Sequence, residues 1–486
     1  MKKKINGKDI KSESVFFSFF KKNVVYSISL IFERSVSFLL LPLYTHILLP
    51  SEYGIYTMIL SFISVAVFLY SLGLENGLLK YSAEAEDKSL LNSTIFWGMI
   101  VLASVLTCFI LLFSESISIV ILKDKGYKPF IEMSAGILFF ETIIRFFLCA
   151  VIGEQKSKIY FLIGLFKGVI IIFLNIYLLL ILKMGLQGVI LSYLLSSGVA
   201  TLTVLMFSLR RLKFRFDQAI FKKVFFFGYP MMLTSVFLTL LNYFDRYLIQ
   251  FFFTASEVGE YSAAYKIGLI MNIVVSAFSM GALPFVSHLL KENKNQTAVF
   301  PKLLSILFFV TISIFTFSSL FINEIVRIKL FGYAIINEKY LGAIGLVPII
   351  LLSYLFYGIY INFTLIIYYR EKTKALSIVT FFAFLINLGF NWILIPRYSV
   401  IGAAVATLVS FLFMTIAMFF YSRKLLVVQY DWVHIFRIFS LSILIYLISL
   451  FFFKSIFAVK MCLYLVFQVV VCYHIIKFKL FQIGLS

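Results

Sequence analysis

Unbroken apolar runs about 20 residues long, the length a helix needs to cross ~30 Å of hydrocarbon, recur from one end of this chain to the other. They fall at 23–48, 52–74, 91–113, 130–152, 159–182, 186–208, 225–251, 258–286, 302–323, 341–368, 375–395, 399–421, 438–453 and 459–476. Lipid must be the main solvent of such a chain. Hydrophobic residues make up 62% of its 486 positions, against roughly 45–50% in soluble domains. Barrel strands would alternate over about ten residues, whereas these runs are continuously apolar, so the backbone must satisfy its polar groups within helices. The reading is an all-α polytopic membrane protein of about 14 transmembrane helices. No loop between runs is long enough to fold as a soluble domain.

The chain also repeats itself. Ser51-Glu52-Tyr53-Gly54-Ile55-Tyr56 returns as Ser256-Glu257-Val258-Gly259-Glu260-Tyr261, at an offset of 205. A second set follows in order: Lys156-Ser157-Lys158, Asn175, Gly188 and Arg210-Arg211 answer Lys372-Thr373-Lys374, Asn391, Gly402 and Arg423-Lys424, at offsets of 213 to 216. Parallel repeats of this kind build transporters that bind near the midplane and rock one half against the other. The expected organisation is a basic N-terminus (1–22), an N-terminal bundle of about six helices (23–208), a basic linker (209–224), a C-terminal bundle of about six helices (225–421) and two extra helices with a C-terminal tail (422–486). Two pseudo-symmetric bundles with a central cavity would result.

Most of the 43 Lys and Arg fall on the side shared by both termini, which the positive-inside rule assigns to the cytoplasm. Clusters at Lys2-Lys3-Lys4, Lys21-Lys22 and Arg210-Arg211 to Lys222-Lys223 dominate that side. A basic face beside anionic lipid accounts for the net charge of +21, with no nucleic-acid partner. The first run is too long for a signal h-region and lacks a small-residue cleavage pattern, so it reads as an uncleaved span. Cys108, Cys149, Cys462 and Cys472 lie in spans without CxxC spacing and read as inert packing residues.

An ionisable residue inside a span is expensive and therefore a functional candidate. The cations are Arg34, Arg145, Lys167, Arg246 and Lys266; the acids are Glu33, Glu141 and Asp245. Glu141 and Arg145, four apart on one helix, can pair directly. Asp245 with Arg246 and Glu33 with Arg34 are sequence neighbours on different helix faces, so each needs a partner elsewhere. That leaves a surplus of positive charge, suited to phosphate. The acids are the ion-coupling candidates. Polar stripes run beside them at helical spacing: Ser235, Thr239, Asn242, Arg246; Tyr261, Tyr265, Gly268, Asn272, Ser276; Ser353, Tyr357, Tyr360, Thr364, Tyr368; and Asn387 with Asn391. Such faces join helices or line a wet lumen. Tyrosine rings and asparagine amides suit sugars, by stacking and by bonding hydroxyls. Pro42, Pro230, Pro284 and Pro348 are candidate hinges or helix ends.

There is no GxxxxGK[ST], no GxSxG and no metal-ligand cluster in the sequence, so neither an enzyme nor a cofactor is expected. Energy would come from an ion gradient or from the cargo's own gradient.

The segment Phe227-Gly228-Tyr229-Pro230, followed by Asp245-Arg246-Tyr247, Gly259-Glu260-Tyr261-Ser262-Ala263-Ala264 and Ala277-Phe278 up to Pro284, resembles the second-half signature of the polysaccharide biosynthesis and O-antigen flippases. These belong to the multidrug/oligosaccharidyl-lipid/polysaccharide exporter superfamily. Leu49-Pro50-Ser51-Glu52-Tyr53-Gly54-Ile55-Tyr56 resembles the motif after their first span. The resemblance implies two helical bundles around a cationic V-shaped cavity, alternating access, and a polyprenyl-pyrophosphate-linked sugar repeat unit carried to the outer leaflet of a bacterial inner membrane. Membrane lipids, and polymerase and chain-length proteins of the same pathway, are the implied partners. By likeness to the lipid II flippases, Arg34 would contact the pyrophosphate, with Lys266 next. An ion-coupled drug exporter and a membrane-embedded glycan polymerase or glycosyltransferase are the rival readings. The first would want a more acidic lumen, the second a large outer loop.

Overall fold

The computed structural model describes residues 32, 35–82, 85–154, 156–208, 212–291, 297, 299–330, 332–370, 372, 374–452 and 456–477. In order, its helices are α1 (Leu41–Ile47), α2 (Pro50–Ser71), α3 (Leu74–Tyr81), α4 (Lys88–Leu112), α5 (Ser114–Leu122), α6 (Lys128–Gly153), α7 (Ser157–Ile176), α8 (Gly185–Ser208), α9 (Gln218–Phe252), α10 (Ala255–Lys291), α11 (Val299–Leu320), α12 (Ile322–Arg327), α13 (Val347–Tyr369), α14 (Lys374–Leu425), α15 (Trp432–Phe452) and α16 (Phe457–Lys477). A two-stranded hairpin, β1 (Lys329–Leu330) and β2 (Tyr333–Ala334), turns at Gly332 between α12 and α13.

Among the described residues, twelve helices are long and apolar enough to span a membrane, against the expected fourteen. Two of the expected spans share one helix. A 52-residue helix would measure about 78 Å, but α14 breaks at Ser399 (φ 49°, ψ −134°), just after Pro396 and between the runs at 375–395 and 399–421. The repeat explains the break. Lys183, which is 216 residues earlier, has φ 51° between α7 and α8. The first expected span, 23–48, is described only at Phe32 and from Ser35 onward. Large apolar side chains stand open on the helix surfaces, with Leu112 75%, Val120 80% and Met206 78% exposed. Such surface belongs in lipid. Cys108, Cys462 and Cys472 are exposed too, so only Cys149 matches the expected packing role.

The chain forms two compact units. One holds Met58–Val236 with the described residues up to Leu40; the other holds Leu41–Thr57 and the chain from Phe237. These divisions differ from the expected boundaries at 209 and 225, because long helices change allegiance along their length.

In the first unit, the beginning of α9 packs on α3. A Cβ at Gly73 would lie 2.3 Å from the Gly228 carbonyl oxygen, and one at Gly228 only 2.0 Å from that of Gly73. Gly73 also has φ 74°, at the break where α2 gives way to α3. Around this approach Leu74, Leu78, Phe96, Phe146 and Val224 form an apolar core. The Asp87 carboxylate caps α4 by accepting from the Leu90 N–H at 2.9 Å.

In the second unit, the loop before α13 holds the end of α1. Tyr340 donates to the Leu48 carbonyl at 3.0 Å, and the Asn337 N–H reaches the Thr45 hydroxyl at 3.3 Å. The start of α2 then crosses the start of α10, and the duplicated motif meets itself. A Cβ at Gly54 would lie 1.9 Å from the Ala255 carbonyl oxygen; one at Gly259 would lie 1.9 Å from that of Pro50. Thr57 and Ser262 share a hydroxyl bond at 3.0 Å. Both pairs, 54 with 259 and 57 with 262, are separated by the repeat offset of 205. Even the caps correspond: Glu52 accepts from the Leu49 N–H at 2.9 Å and Glu257 from that of Thr254 at 2.8 Å. Two backbones can approach this closely in lipid only where side chains are absent. The last helices are tied on by buried polar contacts, Thr316 to Ser442 at 2.6 Å and Lys460 to Glu324 at 2.8 Å.

Pro348 falls in the first turn of α13, where a missing N–H is harmless, so it marks a helix start; Pro230 lies inside α9.

Candidate functional site

Three of the five candidate cations carry carboxylates, which corrects the expected surplus. In the first unit, Lys167 on α7 reaches across to Glu141 on α6, whose Oε1 also accepts from Ser197 of α8 at 2.6 Å. Glu141 is therefore engaged by Lys167 and not by Arg145. Arg145 turns instead to Glu75 at 3.3 Å, with its guanidinium 5.0 Å from the centre of the Phe68 ring. Glu75 escaped the sequence reading because it stands one residue past the run ending at 74. The break at Leu72 and Gly73 starts a new buried helix there, and the hydropathy boundary did not mark its end.

In the second unit, Asp245 and Arg246 pair with each other as a structural ion pair, rather than each finding a partner on another span or in water. The Arg246 guanidinium folds back along α9 to donate to Asp245 Oδ1 at 3.0 Å and to the Asn242 carbonyl at 2.8 Å. Asp245 is fully buried and Arg246 nearly so. Aromatic rings close the cage: the guanidinium lies 4.9 Å from the Tyr243 centroid and 4.8 Å from that of Tyr265. Tyr261 donates to Asp245 Oδ2. The Asn242 side-chain oxygen accepts from Tyr354 at 3.0 Å and Tyr265 at 3.3 Å, and the two phenols sit 2.9 Å apart. This set joins α9, α10 and α13. A buried charge pair so fully satisfied first of all fixes how its helices pack.

Tyr243 and Tyr354 are the members that sequence reasoning missed, and Tyr354 shows why. It precedes Tyr357 and Tyr360 at steps of three, a stripe drawn instead through Ser353. Tyr357 and Tyr360 stack on each other at 5.7 Å, with 27° between their planes. Asn272 accepts from Ser276 at 3.1 Å one turn on. Asn387 and Asn391 bond each other on α14 at 2.8 Å and are fully buried.

Lys266 stands differently. Its ammonium lies 5.7 Å from the centre of the Tyr44 ring and 6.0 Å from that of Tyr53, half-buried, and no carboxylate among the described residues pairs with it. The rings favour the cation without neutralising it. Tyr44, Tyr53 and Tyr56 form one tilted and edge-on cluster, and Tyr340 meets Tyr53 edge-on at 5.7 Å. Among the described candidates the positive surplus thus contracts to Lys266. Glu33 and Arg34 lie outside the described residues.

A duplicated set of apolar helices, with ionic contacts held between helices and a lipid-facing exterior, defines a multi-pass helical membrane protein. The sequence places it further: the family described as polysaccharide biosynthesis protein matches residues 19–290, and the chain belongs to that family. It is 24% identical to an uncharacterized membrane protein of Methanocaldococcus jannaschii, over 81% of this chain and 82% of that protein. It is similar, at 22% identity, to a putative O-antigen transporter of Shigella flexneri, over 38% of this chain and 43% of that protein. With the capsular polysaccharide biosynthesis protein CapF of Staphylococcus aureus it shares 26% identity, over 44% of this chain and 53% of that protein. Its fold is similar to that of the lipid II flippase MurJ in an inward closed conformation, with TM-score 0.74 and 16% identity over 93% of this chain and all of the other. An inward-facing multidrug resistance MATE transporter also shares the fold, with TM-score 0.65 and 14% identity over 80% of this chain and 94% of the other.

Proposed function

We propose that this protein is a flippase, not an enzyme, that moves a polyprenyl-pyrophosphate-linked oligosaccharide repeat unit from the inner to the outer leaflet of a bacterial cytoplasmic membrane by alternating access, with both termini cytoplasmic. The observation that carries this reading is Lys266, a cation held against tyrosine rings in a polysaccharide-biosynthesis chain and not quenched by an acid among the described residues. An ammonium in a low-dielectric setting prefers an anionic partner, and a pyrophosphate supplies one. Arg34 is the second cation we assign to the pyrophosphate. The tyrosines beside Lys266, together with Tyr357 and Tyr360, are of the kind whose rings and phenols bind sugars, but Tyr44, Tyr53 and Tyr56 are fully buried here, so their contact with a sugar belongs to another state of the transport cycle. Arg145, Lys167 and Arg246 pass from ligand candidates to packing residues, since each is matched by an acid. Drug export draws no support from the acids, because Glu141 and Asp245 are already engaged by cations.

The test is complementation of a strain lacking the gene. Lys266→Met should abolish surface glycan and leave lipid-linked precursor on the inner leaflet at normal protein abundance, and Lys266→Arg should restore part of the glycan. Full glycan with Lys266→Met would overturn the assignment.

A further inference from the structure

The first unit contains a cavity of about 650 Å³ bounded by α4, α6, α7 and α8. That is within the ~300–1,000 Å³ of pockets that hold small ligands. Its walls are apolar: Phe146 and Phe147 from α6, Leu162 and Phe166 from α7, Ala200 and Val204 from α8. Leu162 and Phe166 are also among the exposed apolar residues, so the cavity borders the lipid-facing surface of α7. Polar groups gather at one end. Asn92 at the start of α4, Glu154 just past α6 and Lys156 just before α7 line the same space, and Lys156 is ion-paired to Glu154.

Among the described lining residues the mouth is therefore dipolar, with one cation and one acid. A pyrophosphate arriving there would meet one lysine already matched by a carboxylate, and the carboxylate would repel it. A headgroup carrying one phosphate and one ammonium faces no such mismatch, because Lys156 can turn to the phosphate and Glu154 to the ammonium. We infer that this cavity binds an acyl chain of a zwitterionic phospholipid, with its headgroup on the Lys156–Glu154 pair. It is a lipid site separate from Lys266, and it does not depend on what the protein transports.

The experiment uses the full chain in phosphatidylcholine nanodiscs with a trace of phosphatidylethanolamine bearing a photoreactive group on its acyl chain. After irradiation, labelled peptides are mapped by mass spectrometry. Label should concentrate in peptides covering 146–166 and 200–204, above the level at the lipid-exposed stretch around Leu112 and Val120. Ala200→Phe or Ala150→Phe, each filling the cavity from a different helix, should remove that excess while leaving surface labelling unchanged. Glu154→Lys should make the mouth cationic and shift labelling toward a phosphatidylglycerol probe by about two- to fivefold, the range of one exposed charge contact. Label no denser in the cavity than on the surface, or undiminished in both filled variants, would overturn the site. Stronger labelling of the wild type by a phosphatidylglycerol or polyprenyl-phosphate probe than by phosphatidylethanolamine would overturn the assigned ligand.

Discussion

Adding a methyl group at Gly54 probes the crossing where the repeated motif meets itself. The new Cβ would lie 1.9 Å from the Ala255 carbonyl oxygen, whereas ordinary contact begins at 3.4 Å, so α2 and α10 must part by about 1.5 Å. Overpacking of this kind costs about 1–3 kcal/mol. The Thr57–Ser262 bond, at 3.0 Å, stretches beyond hydrogen-bonding range and forfeits about 0.5–1.5 kcal/mol more. Helix propensity returns up to ~1 kcal/mol when Gly becomes Ala. The net expectation for Gly54→Ala is a loss of about 0.5–3.5 kcal/mol, read from denaturant or thermal unfolding in detergent. Gly259→Ala should lose about the same, since its Cβ meets the Pro50 carbonyl at the same 1.9 Å. The two sites share one crossing, so helices parted by the first methyl already make room for the second, and the double variant should lose less than the sum. Gly389→Ala is the control: nothing lies within 4 Å of its Cβ, and it should be neutral or slightly stabilising. Unchanged stability in Gly54→Ala, or strict additivity in the double variant, would refute the close crossing.

Asp245→Asn should destabilise by about 3–5 kcal/mol, because it strands a buried guanidinium; the double variant Asp245→Asn, Arg246→Met should recover much of that loss in the same unfolding assay. Lys460→Ala removes the partner of Glu324 and should lower the unfolding midpoint in detergent, while the exchange of charges in Lys460→Glu with Glu324→Lys should recover part of that loss.

The membrane spans were legible because each depends on a local property, an apolar segment of sufficient length, that does not require knowing its neighbours. The repeat was legible too, since residues 51–56 and 256–261 keep the letters that do the same job: a carboxylate cap, Glu52 and Glu257, and a glycine at a helix crossing, Gly54 and Gly259. Partner choice among the charges was not. Lys167 finds Glu141, Arg145 finds Glu75 and Lys460 finds Glu324 on other helices, pairings fixed by which faces pack together. Asp245 and Arg246 defeated the rule of helical faces for another reason: an arginine stem is long enough to fold back to the preceding carboxylate once surrounding tyrosines exclude water.

By itself, then, the sequence determined that the chain is helical, membrane-embedded and duplicated, since hydropathy and spacing act over one turn or one span. Tertiary structure decided which of the described candidate cations remains unmatched. Whether a cation is quenched depends on side chains that packing brings near it, and here packing gave Glu141 to Lys167 and Glu75 to Arg145, while Arg246 folded back to its neighbour Asp245 and Lys266 was set against tyrosine rings.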